Sequence, residues 1–131
     1  MMTDVSDRSL ETVVLGQKVS MPVGIAPTAM QKMVHPDGEA AVARAAEEAG
    51  VLFILSTMST VSIEDVAAAA PSGIKWFQLY IYKDRDVTRA LVKRAEKAGF
   101  KAIVLTVDAP FLAPNIRNRV IRHIDLCLCL F

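Results

Sequence analysis

Polar side chains recur where four short apolar runs end. Thr28 closes "MPVGIAPT", Ser56 and Thr57 close "VLFILST", Gln78 and Tyr80 lie in "IKWFQLYIY", and Thr106 and Asp108 close "KAIVLTVD". Small or flexible residues, Pro27, Ala29 and Met58, stand beside them. None of these groups is a nucleophile next to its base, and no carboxylate pair stands ready for acid–base work. Neutral Ser, Thr and Gln groups with backbone amides suit instead a planar heterocycle with alternating donors and acceptors, and a flavin ring is one such ligand. Taken singly each is ordinary: Ser56 and Thr106 read as hydroxyls satisfied by nearby backbone, Gln78 as a buried amide. Their convergence on one rim is what carries the reading.

That convergence depends on the elements. The four runs, at 21–28, 51–57, 74–82 and 101–108, are short and nearly continuous in apolar character, as strands covered on both faces are. Helical segments lie between them. "PDGEAAVARAAEEAG" is alanine-rich, places Ala40, Val42, Ala43, Ala46 and Ala49 on one stripe, and stops at Gly50. "VSIEDVAAAAPSG" has Ser62 as N-cap, Glu64 and Asp65 in its first turn, and Pro71 and Gly73 as its end. "DRDVTRALVKRAEKAGF" gathers Val87, Leu91, Ala95 and Ala98 on one face, puts Lys93, Arg94 and Lys97 in its later turns, and stops at Gly99. The segment 12–20 predicts a β-hairpin turning at Gly16 and Gln17.

The order is β-α-β-α-β-α-β, which implies right-handed crossovers and a parallel sheet, with active-site groups at the carboxyl ends of the strands. Four such units make either a small doubly wound sheet or half of an eight-stranded barrel. No G-x-G-x-x-G follows the first strand and no G-x-x-x-x-G-K-[ST] occurs, which weakens the dinucleotide and P-loop readings. The alternation breaks off after "LTVD", which favours an incomplete (β/α)8 TIM barrel, α/β in class.

Composition sets outer bounds. The 131 residues are 53% hydrophobic and 22% charged, so the chain must bury a substantial core. A formal net charge of +1 without a dense basic block gives no reason to expect a nucleic-acid partner. The start, "MMTDVSDRSLET", lacks the apolar core of a secretory signal, and no run approaches the roughly 20 apolar residues that span a bilayer. A soluble, intracellular protein without a membrane partner is expected. Cys127 and Cys129 in "LCLCLF" lack the further ligands that zinc requires and read as reduced thiols, so no metal is expected.

Three stretches go further. "LGQKVSMPVGIAPTAMQKMVHPDGE", "WFQLYIYKDRDV" and "AEKAGFKAIVLTVDAP" make the chain, from about Val13 to Pro110, resemble the FMN-dependent 2-hydroxyacid oxidases, glycolate oxidase and its relatives. The resemblance implies an FMN-binding (β/α)8 barrel of which this chain is similar to the first four βα units. It implies that Pro27, Thr28 and Ala29 lie against the flavin's reactive edge and that Ser56, Gln78 and Thr106 bond the ring's heteroatoms. Tyr80 would meet the substrate's carboxylate or hydroxyl. Met58 stands where short-chain glycolate oxidases carry tryptophan, which suggests a substrate longer than glycolate. The implied reaction oxidises a 2-hydroxy acid to a 2-oxo acid while molecular oxygen becomes hydrogen peroxide; the implied setting is a peroxisomal homo-oligomer.

The departures matter equally. The family's catalytic histidine, substrate-binding arginine, flavin-side lysine and phosphate loops come from the second half of the barrel. Here the histidines are His35, in an "HPDG" turn, and His123, which lies in the divergent tail and fits no family motif, so no catalytic residue is assigned. "LAPNIRNRV" shortens the family's next loop, places Ala113 and Pro114 where a glycine is usual, and drops its arginine. Asn118-Arg119 resembles a family "NR" pair, but neither Arg117 nor Arg119 inherits the missing role. The expectation is a single partial barrel domain over 1–131, with a hairpin at 12–20, βα units at 21–110 and a divergent tail at 111–131. It would be a truncated, catalytically incomplete oxidase with half a flavin site; the alternative is a non-catalytic isoform that associates with full-length subunits. The end of the chain is not a Ser-Lys-Leu address, so peroxisomal import would need a partner, and a cytoplasmic location is the alternative.

Overall fold

Two prolines and a glycine set the first boundary of the sheet. The computed structural model describes residue 6 and residues 8–107, and in it the run at 21–28 yields only a two-residue strand, β3 (Gly24–Ile25). Pro22 and Pro27 bracket it, and neither has an N–H to give to a ladder. Ahead of it β1 (Thr12–Val14) and β2 (Gln17–Val19) pair antiparallel. Their turn is centred on Leu15 and Gly16, one residue earlier than expected. Both have positive φ, 46° and 76°, the two-residue geometry whose twist matches that of the flanking strands.

The remaining elements follow the expected alternation. A 3-10 turn (Gln31–Met33) leads to α1 (Gly38–Ala49), then β4 (Leu52–Leu55), α2 (Ile63–Ala69), β5 (Lys75–Leu79), α3 (Arg85–Lys97) and β6 (Ala102–Leu105). The Ser62 hydroxyl accepts the Asp65 N–H at 3.1 Å, and the Asp84 carboxylate accepts the Asp86 N–H at 2.8 Å, so both helices start on side-chain caps. Gly50 ends α1 at φ 64°, in the left-handed region, where a Cβ would lie 3.3 Å from the Ser20 Cβ. Ser20 in turn donates its N–H to the Gly50 carbonyl at 2.9 Å, which ties the end of the hairpin to the amino end of β4.

The four long-range strands run parallel in the order β3-β4-β5-β6. Register then sorts the side chains. Ile54, Trp76 and Ala102 share one face, and Gln78 and Val104 continue it, while Phe53, Leu55, Phe77, Leu79 and Leu105 point to the other. Phe53, Leu55, Phe77 and Leu79 pack into one cluster with Ala43 and Ala46 of α1, Ile63 and Val66 of α2 and Ala95 of α3. Phe100 meets Phe77 edge-on, with ring centroids 6.3 Å apart. All three helices therefore cover the same face. A doubly wound sheet carries helices on both faces and switches strand order; sequential order with one-sided helices is barrel architecture.

Two stripe positions differ from expectation. Ala49 is exposed at the end of α1, where its carbonyl accepts the Ser20 hydroxyl, and Val87 is exposed in the first turn of α3. The buried stripe of α3 begins only at Leu91 and centres on Ala95. Among the described residues no helix is long and apolar enough to cross a membrane.

Candidate functional site

At the carboxyl ends of β4, β5 and β6 three side chains on the helix-free face form a hydrogen-bonded row. Ser56 follows β4, Gln78 lies within β5, and Thr106 follows β6. Ser56 and Gln78 are buried and Thr106 is half-buried. The Gln78 Oε1 accepts the Thr57 N–H at 3.0 Å and lies 3.5 Å from the Ser56 hydroxyl. Its Nε2 donates to Thr106 Oγ1 at 2.9 Å. The backbone N–H of Thr57 can only donate, so it fixes which end of the amide faces β4 and turns the NH2 toward β6.

The remaining hydrogen-bonding capacity follows from those assignments. Thr106 Oγ1 is used as an acceptor, so its own hydrogen is left to donate, as is the second N–H of Gln78. Ser56 Oγ accepts the Met58 N–H at 3.1 Å and gives its hydrogen to Gln78 Oε1 at 3.5 Å. The rim is rich in donors. Such a row matches the acceptor-rich pyrimidine edge of a flavin, with its carbonyl oxygens and imine nitrogens, better than it matches a cation or an apolar ligand.

Thr57 closes its run beside Ser56, and no role followed from that position. Its Oγ1 donates to the Gln78 carbonyl and accepts the Tyr80 N–H at 3.1 Å, so it clips β4 to β5 just below the row. Tyr80 is half-buried on the same face as Gln78, and Met58 is half-buried in the loop after β4. Pro27, Thr28 and Ala29 are exposed in the loop after β3, where the Thr28 carbonyl accepts from Gln31 Nε2 at 3.3 Å. Beside that turn Gln31 Oε1 is a buried acceptor without a hydrogen-bond partner. Met30 N–H donates to the Met58 carbonyl at 3.2 Å and joins the two loops.

One residue lay outside the sequence pattern. Glu39, quoted above without a role, is fully buried, with 0% of its surface exposed. An acidic residue in the first turn of a helix ordinarily suggests solvent and the helix dipole, and nothing in the sequence around it signals burial. A separate cleft of about 180 Å³ opens on the helix side between α2 and α3, lined in part by Ser59, Thr60, Ile63 and Arg94. The Arg94 guanidinium there is held by Glu64 through two bonds of 2.8 and 2.7 Å. His35 is exposed, its Nδ1 accepting the Asp37 N–H at 3.2 Å, and it shares no hydrogen bond with the row. Asp108, His123, Cys127, Cys129 and the loop with Ala113, Pro114, Arg117 and Arg119 lie outside the described residues.

Comparison with known proteins finds relatives of one kind. The family model for FMN-dependent dehydrogenases matches residues 1–126. Glycolate oxidase 1 of Zea mays is 58% identical over 121 residues, which cover 90% of this chain and 32% of the maize protein. Glycolate oxidase of Spinacia oleracea is 56% identical over the same shares. A mandelate oxidase variant solved with (S)-mandelic acid superposes with a TM-score of 0.86 at 42% identity, covering 92% of this chain and 35% of its own. A related mandelate oxidase structure holds a C4a-OH-FMN adduct, with the same TM-score of 0.86. The chain thus spans about a third of the length of the curated relatives it matches.

Proposed function

The chain belongs to the FMN-dependent dehydrogenase family, and from that premise we propose that it supplies one wall of an FMN site in a 2-hydroxyacid oxidase. The reaction is oxidation of a 2-hydroxy acid to a 2-oxo acid with reduction of oxygen to hydrogen peroxide. The observation that carries the reading is the donor-rich row of Ser56, Gln78 and Thr106 across three adjacent strand ends. These three residues hold the polar edge of the ring, and the Pro27-Thr28-Ala29 turn borders its reactive side. Tyr80 meets the substrate's carboxylate or hydroxyl, and the flexible Met58 leaves room for a side chain larger than that of glycolate. FMN held there would supply the hydride-acceptor and oxygen-reducing chemistry. The chain's own contribution is to orient the ring through hydrogen bonds whose geometry is set in advance by Thr57.

The proton-abstracting histidine and the carboxylate-binding arginine of the family have no counterpart in the segments this chain shares with it. The 131 residues alone are therefore catalytically incomplete, forming a single partial barrel domain. A peroxisomal location, by analogy with the plant relatives, belongs to this same reading.

The test is a titration of the purified chain with lumiflavin and with FMN, followed by quenching of flavin fluorescence. Weak saturable quenching is expected with both, and Gln78→Leu and Thr106→Val should each weaken it about tenfold, the loss of roughly one good hydrogen bond. Absence of quenching, or quenching indifferent to both substitutions, sinks the ring-site reading. Peroxide release from glycolate, lactate or mandelate with added FMN, in proportion to chain concentration, overturns catalytic incompleteness.

A further inference from the structure

Glu39 has three donors around it and they come from two different loops. Its Oε1 accepts the N–H of Gln31 at 3.1 Å and the N–H of Thr60 at 2.9 Å. Its Oε2 accepts the Thr60 hydroxyl at 2.6 Å. The Thr60 oxygen accepts in turn the N–H of Lys32 at 3.1 Å. Gln31 and Lys32 open the 3-10 turn after β3, and Thr60 lies in the loop after β4. Just upstream, Met30 adopts φ 56°, a left-handed conformation that a methionine holds only when its surroundings fix it. Its N–H is bonded to the Met58 carbonyl.

We propose that Glu39 is a positioning residue that locks the turn carrying Pro27, Thr28 and Ala29 against the end of β4 that carries Ser56 and Met58. The assignment of those residues to a flavin and its substrate rests on the function proposed above; the lock itself rests on the hydrogen bonds. A carboxylate is the group this position requires. The Thr60 hydroxyl gives its one hydrogen to Glu39 while it accepts from Lys32, and two N–H groups converge on the other oxygen, so both ends of the side chain act as acceptors. Glutamine would turn an NH2 toward that hydroxyl and leave its hydrogen without an acceptor. No cationic side chain among the described residues forms an ion pair with Glu39. The buried charge is held by dipoles alone, an arrangement that costs desolvation and is kept in place by completed hydrogen bonds.

The experiment is residue-resolved amide hydrogen exchange on the full chain at neutral pH. In Glu39→Gln and in Thr60→Val, protection at Gln31, Lys32 and Thr60 should fall about tenfold, the factor that one charge-assisted bond supplies, while β4, β5 and β6 keep theirs. Thr60→Ser, which retains the hydroxyl, should behave as the wild type. A uniform loss over all strands makes Glu39 a general support of the fold and overturns the inference, as does unchanged protection at the three amides. Lumiflavin quenching is measured on the same variants. If the wild type binds no flavin, the proposed function fails and the exchange pattern still decides the lock. A local loss of protection with unchanged lumiflavin affinity overturns the positioning role.

Discussion

Gln78 shows how a side chain with two chemically distinct ends can be aimed by a single backbone donor. The Thr57 N–H selects its oxygen, and the Thr106 hydroxyl receives its nitrogen. Thr57 serves the row twice, since its hydroxyl also bridges the Gln78 carbonyl and the Tyr80 N–H. Thr57→Val keeps the shape and deletes both bonds, and about 1–3 kcal/mol of stability should go with them. Urea unfolding reads this as a lower midpoint at unchanged slope; equal midpoints would show the bridge to be dispensable. The sequence revealed Ser56, Gln78 and Thr106 because each is a polar residue in or at the end of an apolar run. It named Thr57 without a role and concealed Glu39, because their partners belong to other segments and leave no local pattern.

Glu39 also carries a pH signature. Burial pushes its carboxyl up, but bonds from the Thr60 hydroxyl, the Thr60 and Gln31 N–H groups and its own N–H outweigh burial and hold it below its ordinary value of 4.5. A depressed folded value means that the ionised group contributes stability fully above the unfolded value, and that this contribution is lost as pH falls through the folded one. The stability difference between wild type and Glu39→Gln should thus be constant near neutrality and shrink in acid, below about pH 4.5. A difference unchanged from pH 7 to pH 3, roughly the range over which a carboxyl titrates, would show that the charge is not what the donors hold.

At the scale of elements, the helices were legible because their signals are local. Ser62, Gly50 and Gly99 stand where caps and stops were expected. The strand before α1 was overestimated because prolines remove ladder donors, and the hairpin turn slipped by one residue because Leu15 accepts a left-handed φ. Glycine stops differ in what they exclude. Gly50 and Gly99 both have positive φ, but only at Gly50 would a Cβ crowd a neighbour, Ser20. Gly50→Ala should therefore cost more than Gly99→Ala, for which the left-handed penalty of about 1–2 kcal/mol stands alone. Thermal melts of the two variants decide the order; equal losses would mean that Ser20 yields freely. The Arg94–Glu64 pair tying α3 to α2 adds little. The Arg94 hydrogen bond brings Glu64 down to about 2, yet both groups are half exposed and such pairs contribute at most about 1 kcal/mol.

For the whole molecule, local patterns left two architectures open, since neither strand order nor the side on which a helix lies is written in any one segment. One-sided helices decide for the barrel, and that decision has a physical consequence for a sheet of four strands. The helix-free face presents Ile54, Trp76, Ala102 and Val104 only half-buried, and Trp76 Nε1 there is a buried donor without an acceptor. On the opposite face, α1, α2 and α3 cover β4 and β5 but leave Ile103 and Leu105 of β6 39% and 46% exposed. Among the described residues β6 pairs only with β5, so its far side offers free N–H and C=O groups next to apolar side chains. Such an edge is a template for association. The weight-average mass of the chain in sedimentation should accordingly rise with concentration. Burying a side chain such as Leu105 in a contact is worth about 1.5–3 kcal/mol, so Leu105→Lys should weaken association about tenfold or more. Lysine at an exposed edge opposes pairing without disturbing the core built on Phe53, Leu55 and Phe77. A mass independent of concentration in the wild type, or one that responds identically in Leu105→Lys, would mean that the β6 edge is already satisfied.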